Sequence, residues 1–481
     1  MLAASSRDLT WLRRPLAELV RLSWPIAVSM LSYSALTLTD SIFAGRLGPA
    51  ALAGVGMGGI MSFAFLVFSM GLLRGVKVLV SQAVGAGRPE RVPDCLAAGL
   101  IIALGLGAAT TCLGELLALA LPGLAASRAV GENAGAYLAV RALAAPVMLA
   151  FVAMRETLYG QGEARAPMVA SIIANLVNIA LCYVCVFQLE LGVPGVAWAA
   201  VAGHVVETGT LVGLRGRELL PSLGRGLAAM REVWRLGLPN GLQMMIEVGS
   251  FILLTMLIAA MSEAEMAAHQ IAIQAIHFSF LPALAVGEAG SVMAGQAVGA
   301  HRDDLVLAVA RLAMWLAGIY TAACTVLIAM GGPSIARLFT SDAAVLAAAL
   351  PVLHVAAAFQ VADAANIVAR GILRGTGDVR FPAVVGIVTA WSLTPPLTWV
   401  LGHLLGMGAF GGWLGLCAEI LAAAGIFWWR LLRRGWLPAA ARARAVLERS
   451  QAAPAARDVA GAGEHGPAQS GYATARQESP G

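Results

Sequence analysis

Three acidic side chains lie inside long apolar segments of this sequence. Glu247 is near the middle of its segment, Asp363 lies well inside another, and Asp40 lies towards the end of the first. A charged side chain at the centre of a membrane span costs about 2.5–3.5 kcal/mol on insertion scales, so it needs a function or a partner. A carboxylate in a low-dielectric cavity can exchange a proton, bind Na⁺ or attract a cationic ligand. The three acids therefore predict a binding site for a proton, Na⁺ or a cationic ligand, unless each acid is merely paired with a base between two helices.

Polar side chains accompany these acids at helical spacing. Asn366 and Arg370 follow Asp363 by three and seven residues, so all three share one helix face. In the first segment, a polar stripe of the same kind consists of Tyr33, Thr37 and Asp40.

The elements that position these residues are predicted to be membrane helices. Of the 481 residues, 59% are hydrophobic and only 12% are charged, whereas soluble domains carry about 25% charged residues. The apolar runs reach the roughly 20 residues that a helix needs to cross a bilayer. They predict twelve spans, over residues 16–44, 53–84, 93–122, 131–160, 166–189, 195–214, 230–261, 266–298, 305–331, 342–373, 381–403 and 409–432.

Arginines set the predicted orientation of these spans. They are concentrated before the first span, between spans 2 and 3, in the long connection between spans 6 and 7, and after the last span. By the positive-inside rule, both termini are then cytoplasmic, in a plasma (inner) membrane that the chain crosses many times. This topology, rather than binding to nucleic acid, explains the net charge of +5.

The two halves of the sequence repeat each other at a nearly constant offset. Pro25 and Pro239 end similar motifs 214 residues apart, and the motifs that begin at Gln82 and Gln296 have the same offset. Six spans per repeat give both halves the same orientation. We therefore expect an all-α membrane protein of two six-helix bundles, related by a pseudo-two-fold axis along the membrane normal, with the substrate site between them.

The repeat divides the chain into five predicted parts. A cytoplasmic N-terminal segment covers residues 1–15, and the first six-helix lobe covers 16–218. A cytoplasmic linker over 219–229 leads to the second lobe, over 230–435. Residues 436–481 are assigned to a cytoplasmic tail, which is expected to be largely disordered because the chain from about residue 450 onward is rich in Ala, Gly, Pro, Gln and Ser without periodicity.

Repeat-equivalent positions are expected at equal depth in the two lobes. Arg74 and Glu288 are 214 residues apart and have opposite charge, and Lys77 lies one turn after Arg74. We predict that Arg74 or Lys77 pairs with Glu288 across the lobe interface, as an inner gate that holds an outward-open state. The alternative is that each charge is satisfied within its own lobe. Two further equivalent sets, expected to face one shared cavity, are Tyr33, Thr37 and Asp40 in one lobe and Glu247, Phe251 and Leu254 in the other.

Five motifs in consistent order together resemble the multidrug and toxic compound extrusion (MATE) family, over about residues 15–435. They are residues 38–45 (LTDSIFAG), 82–89 (QAVGAGRP), 236–241 (LGLPNG), 267–272 (AAHQIA) and 374–378 (RGTGD). The positions of Glu247 and Asp363 resemble the NorM-type branch. The resemblance implies a secondary active antiporter that exports organic cations and other amphiphiles by alternating access. It also implies that H⁺ or Na⁺ is the coupling ion, with no other cofactor and no metal site.

The resemblance suggests roles for the acids in the membrane. Glu247 and Asp363 are expected to form the main coupling and substrate-binding pair, while Asp40 serves the N-terminal lobe. Related transporters surround the aspartate of the first span with polar side chains, and Asn178 fits that pattern. Cys182 stands where another amide or acid is expected, and residue 202 is an alanine in place of a hydroxyl. Few oxygen ligands remain near Asp40, which favours H⁺ over Na⁺.

Other classes of protein fit the sequence less well. A lipid-linked precursor flippase of the same superfamily has a similar fold but a more cationic cavity, whereas the predicted cavity acids here outnumber the bases. An enzyme would need clustered His, Asp or Ser side chains near one interface, and the sequence has no such constellation. The six cysteines show no disulfide or metal-ligand spacing. We expect a monomer whose partners are small molecules and the lipid bilayer.

Overall fold

The computed structural model describes residues 9–448 except 126, 218, 220 and 222, and within these residues it contains helices and turns but no strand. Short 3-10 turns cover Thr10–Arg13 and Pro89–Arg91. A final helix, α14, covers 437–448. The preceding helices are α1 (Pro15–Leu47), α2 (Pro49–Gly85), α3 (Val92–Leu124), α4 (Arg128–Leu143), α5 (Ala145–Gln161), α6 (Arg165–Tyr183), α7 (Gly192–Arg215), α8 (Leu223–Ala259), α9 (Glu263–Gly299), α10 (Asp303–Phe339), α11 (Ala343–Gly375), α12 (Arg380–Leu397) and α13 (Gly408–Leu432).

Twelve membrane spans account for α1 to α13. Within the described residues, eleven helices are long and apolar enough to cross a membrane, and α4 with α5 forms a twelfth span bent by 49°. Two of the eleven, α6 and α12, are each extended by a π-helical turn. The break precedes Pro146, whose ring and missing amide hydrogen interrupt the helical hydrogen bonds. The predicted all-α fold with twelve spans is confirmed, with the fourth span broken at its middle.

The helices form two bundles, α1–α7 and α8–α13, each with its own apolar core. The first helix of each bundle also packs on the second helix of the other, because α1 contacts α9 and α8 contacts α2. A two-fold axis between the bundles exchanges α1 with α8 and α2 with α9. The reciprocal contacts are therefore those that the predicted symmetry requires.

The bundles touch at the end of the molecule where both described chain ends lie, and we call this the closed end. Gly85 of α2 approaches the backbone of Gln296 so closely that a Cβ atom at position 85 would overlap it. Gly299 of α9 meets Gln82 in the equivalent way. Only glycine permits two helices to approach this closely. At the other, open end, side chains between the bundles such as Thr37 and Phe251 are exposed.

The boundaries between lobes and termini differ from the predicted ones. The linker predicted over 219–229 is too long, because α8 begins at Leu223; the run Leu227 to Met230 consists of strong helix formers and extends the span towards its N-terminus. At the N-terminus, Trp11 is only 5% exposed, and its Nε1 donates a hydrogen bond to Gln296 Oε1 at 2.9 Å. Residues 1–8 of the predicted N-terminal segment lie outside the described residues.

The tail predicted from residue 436 begins with ordered structure. Trp436 is 2% exposed and packs in the apolar core of the second bundle. In α14, Arg444 pairs with Asp303 at 2.7 Å, and the carbonyl of Leu447 accepts a hydrogen bond from Arg88. Residues 437–448 form a helix because their Ala, Arg and Leu residues are strong helix formers and the buried Trp436 anchors them, so ordered structure extends past the predicted lobe boundary at 435. Residues 449–481, which include the stretch from about 450 that predicts disorder, lie outside the described residues.

Candidate functional site

A cavity of about 1260 Å³ lies between the two bundles. It exceeds the roughly 300–1,000 Å³ that most small-molecule sites provide. Apolar and aromatic side chains form most of its wall, which suits ligands of varied shape. Among the residues that the structure describes, ten charged side chains also line it: Glu156, Glu207, Glu247, Glu288, Asp363 and Glu419, with Arg74, Arg155, Arg370 and Arg374.

The C-terminal bundle brings four predicted site residues to one wall of this cavity. Arg370 Nη1 lies 3.1 and 3.2 Å from the two carboxylate oxygens of Glu247. Gln243 also donates a hydrogen bond of 2.7 Å to Glu247 Oε1. Asp363 and Asn366 line the same wall from α11. Glu247, Asp363, Asn366 and Arg370 therefore lie together, as sequence reasoning expected, but Glu247 is already engaged by a base.

Glu419 of α13 is a third acid on this wall, and sequence reasoning gave it no role. Its Oε2 accepts a hydrogen bond from Thr394 of α12, and Glu247 and Asp363 are close enough to act on it electrostatically. The sequence does indicate the face of α13 on which Glu419 lies, because Leu416, Glu419 and Ala423 are three and four residues apart. That pattern shows which residues share a face of α13 but not that the face borders a cavity.

Asp40 occupies a different environment from the one predicted. Tyr33 and Thr37 line the central cavity, but Asp40 is 2% exposed and lies inside its own bundle. Its Oδ2 accepts a hydrogen bond of 2.7 Å from Tyr137 of α4. The repeat-equivalent Leu254 is also buried, in the core of the second bundle. The prediction that the whole stripe faces a shared cavity is therefore wrong at its third position.

The neighbours of α1 explain this difference. Residues seven apart on a helix share a face within about 20°, but what covers that face changes along the helix. The first half of α1 packs on the second bundle through Leu22 and Ile26, whereas Ala44 packs inside the first bundle. Asp40 lies on this later part. Asn178 and Cys182 of α6 are buried beside it rather than at the central cavity.

The three predicted gate residues meet at the closed end of the cavity. Arg74 Nη1 lies 3.4 Å from Glu288 Oε1, and Lys77 Nζ contacts Glu288 Oε2 across the lobe interface. Lys77 also lies 3.7 Å from Glu156, and Arg155 pairs with Glu156 at 3.0 Å. Sequence reasoning missed Glu156 and Arg155 as members, because no repeat partner of opposite charge marks them. Among the described residues, no three His, Cys, Asp or Glu side chains are placed to hold a metal ion.

Twelve membrane spans in two equivalent bundles, with a large cavity at their interface, define a membrane transporter rather than an enzyme. The sequence profile of the MatE family matches residues 25–184 and 239–400. The chain therefore belongs to the MatE family of transporters, and the resemblance noted in the sequence is confirmed.

Similar proteins support the same conclusion. A "Probable multidrug resistance protein NorM" of Rhodopseudomonas palustris is 30% identical over 449 residues, which cover 89% of this chain and 94% of that protein. A protein of the same name from Deinococcus radiodurans is 32% identical over 424 residues, covering 85% and 93%. A solved "Outward-facing conformation of a multidrug resistance MATE family transporter of the MOP superfamily" shares the fold, with a TM-score of 0.80, 22% identity and coverage of 90% and 96%.

Proposed function

We propose that this protein is a secondary active multidrug exporter that exchanges organic cations and other amphiphiles for H⁺ by alternating access. The observation that carries the proposal is a cavity between two bundles with Glu247, Asp363 and Glu419 on one wall. Curated relatives over most of the chain are called multidrug resistance protein NorM. The arginine-rich connections favour an inner membrane with cytoplasmic termini, so that the closed end faces the cytoplasm.

Coupling is proposed to act through the ion pair of Glu247 and Arg370. A deprotonated Glu247 keeps Arg370 at 3.1 Å, while the remaining acids attract a cationic substrate. A protonated Glu247 attracts the guanidinium much less, because the charge-assisted hydrogen bonds lose their anionic partner. Arg370 then adds an uncompensated positive charge to the cavity and repels the substrate. Binding of one proton therefore neutralises Glu247 and leaves the positive charge of Arg370 without a partner.

The surroundings of the acids favour H⁺ over Na⁺ as the coupling ion. Na⁺ is held by several oxygen atoms at once, whereas the oxygens of Glu247 are already engaged by Arg370 and Gln243. In the first bundle, Cys182 occupies a position beside Asp40 where an oxygen ligand would be needed. A proton needs only one carboxylate oxygen.

The contacts of Glu288 with Arg74 and Lys77 are proposed to be the inner gate. They join α9 of one bundle to α2 of the other at the closed end. Ion pairs in a buried site are strong only while both partners remain together. Separation of the bundles at this end exposes the charges to water, so the gate stabilises the outward-open state alone.

The balance of charge argues against a flippase for lipid-linked pyrophosphates. Six acids and four arginines line the cavity. Three of these arginines, Arg74, Arg155 and Arg370, already face an acid, and Arg374 donates to Gln243 at 2.8 Å. A pyrophosphate would meet few uncompensated bases.

Transport by purified protein in proteoliposomes tests the proposal. Vesicles loaded with a fluorescent organic cation are given a pH gradient or a Na⁺ gradient of equal size. A pH gradient alone should drive dye movement. Movement driven only by Na⁺ would overturn H⁺ coupling, and no movement under either gradient would overturn the exporter itself.

The substitution Glu247→Gln should reduce gradient-driven transport to the level of empty vesicles, because glutamine cannot carry a proton. Glu90→Gln is the matched control, since Glu90 is exposed and lies outside the cavity. Unchanged transport by folded Glu247→Gln would remove this residue from the mechanism.

A further inference from the structure

Asp40 is an acid that does not line the central cavity. Its Oδ2 accepts the hydrogen bond from Tyr137, whereas its Oδ1 has no hydrogen-bond partner among the described residues. Asn178 beside it is 0% exposed, and neither polar atom of its amide is paired within the described chain. Buried polar atoms rarely remain unpaired, and those without a protein partner usually bind ordered water. A proton that reaches Asp40 from the cavity therefore needs carriers inside the first bundle.

Glu207 and His204 of α7 form a hydrogen-bonded chain that begins at the cavity. Both line it, and the side chain of Glu207 is the more exposed of the two, at 13% against 3%. Ser171 of α6 donates a hydrogen bond of 2.6 Å to Glu207 Oε1, while His204 Nδ1 lies 3.3 Å from Glu207 Oε2. The carboxylate is thus held at both oxygens, one of them by the imidazole.

The second nitrogen of His204, Nε2, is buried and has no partner in the described part of the chain. The preceding residue, Gly203, packs on α6, where an added Cβ atom would lie 3.5 Å from Asn178 Cβ. His204 is also near enough to Asp40 to act on it electrostatically. An imidazole between a carboxylate at a cavity and a buried carboxylate is the arrangement of a proton shuttle, because each ring nitrogen can take up or release a proton.

We propose that Glu207 and His204 carry protons between the central cavity and Asp40, as the proton path of the first bundle. A histidine with a purely structural role would have a partner for each nitrogen, whereas Nε2 has none among the described residues. The inference rests on the proposed exchange for H⁺ and adds the route by which H⁺ enters the first bundle.

Each transfer along the path leaves the imidazole neutral. During uptake, Glu207 takes a proton from cavity water and passes it to Nδ1 of a His204 ring whose own hydrogen is on Nε2. The imidazolium then gives its Nε2 proton to Asp40, directly or through one water molecule. Glu207 is ionised again, Asp40 is neutral, and the ring keeps its hydrogen on Nδ1. Release runs through the same steps in reverse.

The surrounding charges favour the uptake of one proton. Charged and titratable groups come from each helix that packs on α7: Tyr33 and Asp40 of α1, Tyr137 and Arg141 of α4, Arg155, Glu156 and Tyr159 of α5, and Cys182 of α6. Arg155 and Glu156 neutralise each other at 3.0 Å. An ionised Asp40 and Glu207 then face the single positive charge of Arg141. One proton brings this group to neutrality, which a low-dielectric interior favours.

Infrared spectroscopy measures protonation of Asp40 directly in purified full-length protein. Photolysis of 2-nitrobenzaldehyde releases protons, and the C=O stretch of each newly protonated carboxyl is followed over time. Asp40→Asn identifies the Asp40 band by removing it. The test variant is His204→Gln, since glutamine can still donate to Glu207 but cannot carry a proton. The matched control is His354→Gln, because His354 is exposed and lies outside the cavity.

His204→Gln should slow the appearance of the Asp40 band by at least about tenfold, because a positioned proton carrier speeds transfer by roughly a hundredfold or more. The final size of the band should equal that of the wild type, since a path changes the rate and not the equilibrium. His354→Gln should change neither.

Equal rates in the wild type and His204→Gln would overturn the path, and so would the lack of any Asp40 band in the wild type. A change in final band size without slowing would assign His204 a structural role instead. If size-exclusion profiles or thermal unfolding show that His204→Gln does not fold, Glu207→Asp replaces it. This variant keeps the charge but withdraws the carboxylate from His204 Nδ1, so the same slowing is expected.

The path and the export function can fail separately. Slow protonation of Asp40 in His204→Gln, with a wild-type protein that moves no dye under either gradient, would contradict the export function alone. Dye transport driven by a pH gradient, with unchanged protonation in His204→Gln, would contradict the path alone.

Discussion

The charge cluster at the closed end predicts that two substitutions of neighbouring residues have opposite consequences. The cluster has three bases, Arg74, Lys77 and Arg155, and two acids, Glu156 and Glu288. Glu288→Gln leaves three bases with one acid. Lys77→Met leaves two bases with two acids, and each acid keeps a partner, at 3.0 Å for Glu156 and 3.4 Å for Glu288.

These counts give the expected magnitudes. Removal of one partner from a buried ion pair costs about 3–5 kcal/mol, because an uncompensated charge remains. Arg74 is 18% exposed at its side chain, so we take the lower figure of about 3 kcal/mol for Glu288→Gln, or roughly a hundredfold. The cost applies only while the bundles are in contact, since water solvates the bases once they separate. Lys77→Met should stay within about 1 kcal/mol of the wild type.

Spin labels on the two bundles measure this shift directly. Glu90 and Arg380 are exposed at the closed end, one on each bundle, and both can be replaced by labelled cysteine in a variant without the six native cysteines. Electron–electron distance measurements on Glu288→Gln should show a new, longer distance as the main population. Lys77→Met should keep the wild-type distance.

If Lys77→Met opened the closed end as far as Glu288→Gln does, the balance of charge would not control closure. Unchanged distances in Glu288→Gln, with thermal unfolding showing that it is folded, would likewise contradict this role of the cluster.

Two further substitutions test the packing around the site. Gly85→Ala should separate the bundles in the same distance measurement, because the new Cβ atom overlaps the backbone of Gln296. Gly59→Ala in the same helix is the control, since a Cβ atom there has no neighbour within 4 Å. Equal distances in the two variants would contradict the close contact at Gly85. Tyr137→Phe removes the 2.7 Å hydrogen bond to buried Asp40 and should cost about 1–3 kcal/mol of folding free energy. A lower unfolding temperature would show this loss, and a temperature equal to that of the wild type would contradict it.

The sequence predicted the spans well because the length of an apolar run depends on local composition alone. It predicted two equivalent bundles because the motifs themselves recur 214 residues apart. It also predicted which residues share a helix face with Glu247 and with Asp363, since helical periodicity determines a face. Periodicity does not determine which helix packs against a face at each depth of the membrane. This explains the error at Asp40 on α1. The same limit hid Glu419, because a stripe of Leu416, Glu419 and Ala423 reads equally as lipid-facing or cavity-facing. Only the packing of α12 and α13 decides between them.

The helix α14 has a consequence for any rocking motion of the two bundles. Its C-terminal part contacts both bundles, because Arg444 pairs with Asp303 of the second bundle and the carbonyl of Leu447, one turn later, accepts a hydrogen bond from Arg88 of the first. Leu447 also packs against Ala83 of α2. When the bundles part at this end, their anchor points move away from each other, and α14 must detach from one of them. If the protein works by the proposed alternating access, each transport cycle undocks and redocks the chain's last described helix, and its docking free energy contributes to the barrier between the outward-open and inward-open states.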